Sequence, residues 1–267
     1  MPTMKPRPEF VRALRDELLT DLQRFLEAAQ DAAKKAIEER LEREAAAAFS
    51  EAGAAFEEAA ATPGSDLVAV GETAIEAGRP ALTEAIQTAT QDALLLGMQE
   101  QASTLGISFD LENPRAVAYA REHAAEMVTK IDDETRRVIH DLVEQGTREG
   151  WSYDELARQI TERFAEFAEG KPQQHIDSRA HLVAVTEVGN AYEEGNLIVA
   201  DQVTAAGLEM EHAWQTVGDG RVSAGCKENE AAGWIPMEQA FPSGHTRPLR
   251  FPGCRCTALY RRRKTEP

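Results

Sequence analysis

An apolar stripe at helical spacing opens the chain and commits it to long helices. Pro8 suits the first position of a helix, and Val11, Leu14, Leu18, Phe25, Ala29, Ala32 and Ala36 follow at intervals of three, four or seven. A single helix running to about residue 48 would be roughly 60 Å long at ~1.5 Å per residue, and so narrow a stripe asks for a partner helix. Residues 75–102 can supply it, and so can another protein. The first hundred residues are rich in Ala, Glu and Gln, and aromatic residues are only 6% of the chain, which excludes an all-β fold. Thr62-Pro63-Gly64-Ser65 is a turn cluster that divides this part into helical pieces. Residues 1–105 carry no chemical motif and read as a helical docking region.

A connection over 106–112 leads to Asn113-Pro114, an N-cap followed by proline at the first helical position. The helix that starts there carries Val117, Ala120, Ala124, Met127 and Val128, is expected to break at Asp132-Asp133, and resumes through Val138, Ile139 and Val143 to a stop near Gly146. Ser152 with Glu155 is a capping box for a helix bearing Leu156, Ile160 and Phe164. After a polar linker, Asp177 or Ser178 caps a helix to about residue 206, on which Glu187, Asn190 and Glu194 stack as either a solvated face or a buried network. Past Gly207 the period becomes two. Leu208, Met210, His212 and Trp214 share one face of a strand, and Cys254, Cys256, Ala258 and Tyr260 alternate in another. The fold class is therefore α+β: a long helical N-terminal region, then a mainly helical domain ending in a small, loop-rich antiparallel sheet.

Charge is unevenly placed. The total is −17, but from residue 241 onward seven basic residues face one acid, so that end is +6 and the remainder −23. An acidic body argues against a protein that coats nucleic acid. No run approaches the ~20 apolar residues of a membrane span, and the N-terminus lacks the apolar core of a signal peptide, so no membrane association and synthesis in a reducing cytosol are expected. Cys226, Cys254 and Cys256 are too few for a disulfide scaffold, and all lie in the last 42 residues.

The order AVTEVGNAYEEGN (184–196), Trp214, DGRVSAGC (219–226), 233–236, FPSG (241–244) and FPGCRCT (251–257) resembles the C-terminal domain of phage head-morphogenesis proteins, the phage Mu F-like minor head proteins. The likeness runs from about 108 to 260. Residues 1–105, the helical docking region, lie outside it, and it implies a head-morphogenesis domain over 106–267, divided into a helical lead-in (106–206), an α+β part (207–260) and a basic tail (261–267). The implied role is a non-enzymatic minor capsid protein of a tailed phage, assembled in the host cytoplasm and held in the virion at the capsid interior or portal vertex. It would act in head assembly, DNA packaging or delivery, with the portal protein and a scaffold or major capsid protein as partners. Only eleven residues follow Cys256, which leaves no room for the C-terminal effector some members carry. Ser223 and Phe251 stand where the family commonly has a cysteine and a histidine.

Three readings of the cysteines remain open. Cys226, Cys254 and Cys256 with His245 can form a structural zinc set; the thiols can be small core residues without metal; or Cys226 can pair with another in a disulfide. On an ideal strand the Cys-x-Cys sulfurs would stand about 7 Å apart, so a shared ion requires a bend there. A structural polar network of Glu187, Asn190, Asp219, Arg221 and Arg255 is expected, in which Glu187 or Asp219 holds Arg221 or Arg255 and fixes the loops against the helix. The alternative function is an enzyme acting on nucleic acid or protein during genome delivery, with Glu187 and His212 or His245 as acid and base. His123, His140, His175 and His181 read as ordinary helix or surface residues, and Trp214 and Trp234 as core. Arg261, Arg262, Arg263 and Lys264 read as a solvated or ion-paired terminus, with contact to packaged DNA as the alternative.

Overall fold

The computed structural model describes residues 8–62, 65–107, 114–169 and 179–263. Five long helices come first: α1 (Pro8–Ala60), α2 (Leu67–Leu105), α3 (Pro114–Glu149), α4 (Tyr153–Glu169) and α5 (Arg179–Ala205). A small α+β end follows, made of β1 (Met210–Gln215), α6 (Ala224–Ala231), β2 (Ile235–Pro236) and β3 (Thr257–Arg262).

The first helix is longer than its sequence stripe predicts, and a different stripe is buried. Ala29, Ala32 and Ala36 are exposed. Among the described side chains burial begins at Leu41 and continues through Ala45, Ala48, Phe49, Ala52, Phe56 and Ala60. Alanine spacing misleads here because a methyl group is tolerated on either face, whereas Leu41, Phe49 and Phe56 must be covered. The side chains of Val11, Leu14, Leu18 and Phe25 lie outside the described part.

The partner expected over 75–102 is α2. Asp66 caps it, its Oδ1 accepting from Val68 N at 3.0 Å and Ala69 N at 3.4 Å, and Gly106 closes it at φ 65°. It continues through Pro80 because that residue sits on the exposed side, where water can satisfy the carbonyl that proline leaves without a donor. Its buried side packs on α1, α3 and α5. Gly97 and Gly195 set the α2–α5 distance: a Cβ on Gly97 would lie 2.2 Å from the Tyr192 carbonyl oxygen, and one on Gly195 would lie 2.2 Å from that of Leu94. One hydrophobic cluster runs from Leu41 to Val199, so the core crosses the 105/106 boundary.

The break expected at Asp132-Asp133 does not occur, and α3 also passes Gly146 to end before Gly150 at φ 71°. Asp132 is 4% exposed and pairs with Arg79 of α2 at 2.8 Å, so the acidic doublet is an interhelical contact rather than a stop. The Ser152 cap is present, its Oγ accepting from Glu155 N at 3.2 Å. Asp177 and Ser178, the caps expected for α5, lie outside the described residues.

The antiparallel sheet has the order β2-β1-β3, with His212 opposite both Ile235 and Tyr260 and Trp214 opposite Ala258. Met210, His212 and Trp214 are buried as the alternation predicts, but Leu208 is exposed and precedes the strand. The last strand begins at Thr257 rather than Cys254. Met210, Ala258 and Tyr260 pack the sheet on Ala200 and Val203 of α5. Trp214, Ile235 and Phe241 form a second small core with the three cysteines.

Candidate metal centre and its carboxylate support

Two local structures bring the cysteines together. Ser223 is the N-cap of α6, its Oγ accepting from Cys226 N at 3.4 Å, which sets Cys226 in the first helical turn. On the other side the chain turns before β3: Cys254 N donates to Phe251 O at 3.0 Å, and Gly253 takes φ 79°. This is the bend that an ideal strand would lack. Cys226 and Cys254 Sγ are 4.0 Å apart, all three sulfurs lie within 4.8 Å of one another, and all three residues are buried. A tetrahedral ion with ~2.3 Å metal–sulfur bonds spaces its sulfurs by about 3.8 Å, so the trio can hold a metal after a small contraction. The thiol of Cys256, donating to Cys254, holds Cys254 below the usual thiol range; the same bond and burial push Cys256 up.

His245 is not part of this group. Its Nδ1 lies 3.0 Å from Ser243 Oγ and 3.1 Å from Ser243 O, in a tight turn closed by Phe241 N to His245 O (2.9 Å) and Gly244 N to Phe241 O (2.8 Å). Asn229 of α6 fixes that turn by donating to Ser243 Oγ at 2.8 Å and accepting from Ser243 N at 3.0 Å. His245 is thus held by Ser243 in the 241–245 turn rather than against the sulfurs.

Over the thiols lies a small cleft that opens to solvent, lined among others by Val217, Arg221, Ser223, Phe251 and Arg255. Arg255 Nη2 bonds Asp219 Oδ2 at 2.7 Å, and Asp219 Oδ1 accepts from Arg221 N at 3.0 Å. The Arg255 bond is the main reason that Asp219 is held below the usual carboxylate range. Arg250 Nη1 donates to Ser223 Oγ at 3.1 Å.

The family model described as phage Mu protein F like protein matches residues 137–259, just under half of the chain, from within α3 into β3. Residues 137–259 are thus similar to the phage Mu F-like family. No curated protein and no solved structure is significantly similar to the chain. The family suggests a phage head-morphogenesis protein and a place in the virion, and among the described residues no helix is long and apolar enough to cross a membrane. The match starts later than the sequence likeness, so 108–136 lie outside it. In this Mu F-like segment Ser223 and Phe251 both line the cleft over the cysteines.

The predicted polar network divides in two. Asp219 holds Arg255 and the Arg221 N–H beside the cleft, but Glu187 belongs elsewhere: its Oε2 lies 2.5 Å from His123 Nε2 of α3. His123 stacks on Tyr119 at 4.9 Å, so this histidine is an interhelical anchor rather than an ordinary surface residue. Asn190 is half-buried. Glu194 meets Arg115 at 3.2 Å and Arg247 at 3.5 Å. The row on α5 is therefore a buried network. Glu187 does not meet His212, whose Nε2 lies 3.0 Å from Gln239 O, or His245.

Glu193, which the sequence reading passed over, is the deepest of these acids at 0% exposure. It accepts from Thr257 Oγ1 at 2.5 Å and Ala258 N at 2.9 Å, pinning β3 to α5. Burial pushes its carboxyl up to about 7, against the pull of Lys34, the two hydrogen bonds and Arg247. Gly253 N adds a further tie to α5 through Thr186 Oγ1 at 3.0 Å.

Among the other expected residues, Trp214 is core, edge-on to Phe241 at 5.2 Å, but Trp234 is half-buried beneath the guanidinium of Arg261 at 4.0 Å. The basic tail begins inside β3. Arg261 pairs with Glu211 at 2.9 Å and Arg263 with Glu209 at 3.4 Å, while Arg262 is exposed. Lys264 and His175 lie outside the described residues. His140 is exposed, and His181 Nδ1 meets Glu42 at 3.2 Å.

Proposed function

We propose that this protein is a minor head protein of a tailed phage, seated at the portal vertex and acting in head assembly, DNA packaging or delivery. The observation that carries the reading is the Mu F-like match over 137–259, in a segment that shares one core with α1 and α2. The long α1 is the docking element toward the portal, a scaffold or the major capsid protein. Cys226, Cys254 and Cys256 hold a structural zinc ion, which when bound would cross-link α6 to the segment entering β3. Such a link suits an end of the molecule with only three short strands and long connections.

Cross-linking mass spectrometry on purified particles tests the placement. The expected result is a low copy number and cross-links from the exposed Lys35 of α1 to the portal protein. Distribution over the whole shell, or absence from particles, would refute it.

A further inference from the structure

Resting on the zinc reading above, we infer that the metal centre is completed from solution: the chain supplies three thiolates, and the fourth place is open to an exchangeable small donor. Among the described residues no further histidine, cysteine or carboxylate joins the three sulfurs. His245 is held in its own turn by Ser243. The side of the trio that faces solvent is the cleft between Ser223, Val217 and Phe251, and Val217 and Phe251 are themselves among the exposed large apolar residues. That cleft is the route by which a water, thiol or imidazole would reach the ion.

Charge supports the same arrangement. Three thiolates and a divalent ion sum to −1, and the cleft wall carries Arg221 and Arg255, with Arg250 on Ser223. Arg255 is already matched by Asp219, which leaves Arg221 and Arg250 as the cations beside the centre. Metal sites with three protein ligands and an accessible fourth position exchange that ligand, while closed four-ligand sites do not.

Ser223 lies three residues before Cys226 across the first turn of α6, so a sulfur at that position shares the cleft with the other three. This provides a way to close the site on purpose. The experiment uses the full chain, kept reduced with a phosphine, stripped of metal and titrated with cobalt(II). The expected result is one cobalt per chain, with thiolate charge-transfer absorption and a visible band that shifts when imidazole or 2-mercaptoethanol is added. His245→Ala and His175→Ala should leave the spectrum unchanged. In Ser223→Cys the charge-transfer intensity should rise by about a third, as three thiolates become four, and the response to imidazole should vanish.

A wild-type spectrum indifferent to both added donors would overturn the inference, as would a spectrum altered by either histidine substitution. Both results leave the metal itself in place. Failure of both wild type and Ser223→Cys to bind cobalt or zinc, with helical circular dichroism and melting intact, would instead overturn the zinc reading and the inference with it. The imidazole response of the wild type decides the question even where Ser223→Cys fails to fold.

Discussion

Glu193→Gln should remove a pH dependence of stability that belongs to the α5–β3 contact. The carboxyl is fully buried and its folded-state value is raised from the ordinary 4.5 to about 7. The folded protein therefore binds this proton more tightly than the unfolded chain. Its contribution is fully present below about pH 4.5 and is lost as pH rises through 7. At ~1.36 kcal/mol per pH unit the span is worth about 3 kcal/mol, an upper figure because Lys34, Arg247 and Tyr260 also face the site. Glutamine can keep both hydrogen bonds, taking Ala258 N on its oxygen while the Thr257 hydroxyl turns to accept from its amide. Urea unfolding of both proteins from pH 4.5 to 8 is the assay. The difference should grow toward alkaline pH, with the glutamine variant more stable by about 3 kcal/mol at pH 8. Other raised acids, Glu38 and Asp132, are common to both proteins and cancel. Curves that stay parallel over this range would refute the reasoning.

Alanine at Gly97 or Gly195 should be destabilising although alanine is the better helix former by ~1 kcal/mol, because its methyl would meet a carbonyl oxygen at 2.2 Å. A cost of about 1–3 kcal/mol, read as a melting shift of several degrees, is expected, with Gly220→Ala, where the Cβ meets open space, as a near-neutral control. Arg79→Met removes the partner of the buried Asp132 and should cost about 1–3 kcal/mol by chemical denaturation; no loss would mean that Asp132 is satisfied elsewhere. Truncation at residue 261 should lower stability as well as charge, because Arg261 and Arg262 pair with Glu211 and Met210 in the sheet. The cleaner probe is Arg262→Gln with Lys264→Gln, for which duplex-DNA affinity and its salt slope should be unchanged; a fall in both would assign a DNA contact to these residues.

The parts that the sequence disclosed are those governed by near neighbours. Helix starts at Ser152 and the period change after Gly207 are set within a few residues, and both appear in the structure. The buried face of α1 was misread because Ala29, Ala32 and Ala36 fit the spacing but have too little side chain to demand burial. Asp132-Asp133 looked like a stop because its partner, Arg79, lies on another helix. The same holds for Glu193, adjacent to an equally acidic Glu194: only the docking of Thr257 and Ala258, some 64 residues later, separates them. Helix α6 escaped notice because it is short and polar, with only Cys226 and Asn229 buried. Its cap, Ser223, drew attention as a position lacking a sulfur rather than as the start of a helix. The cysteines stand out by their isolation at one end of the sequence, but their convergence depends on the turn at Gly253, while His245 is close in sequence and is held away by Ser243.

The length of α1 has a mechanical consequence. The seat of α1 on the rest of the molecule includes Lys34 over the Tyr192 ring and Arg40 paired with Asp92. The seat is stiff, because α1 is fastened to α2 and α2 is set against α5 where Gly97 and Gly195 leave no slack. Tilting the outer end would thus pass strain directly into the helix that carries Glu193 and holds the cysteine-bearing sheet, so a pull at one extremity of the molecule is felt at the other.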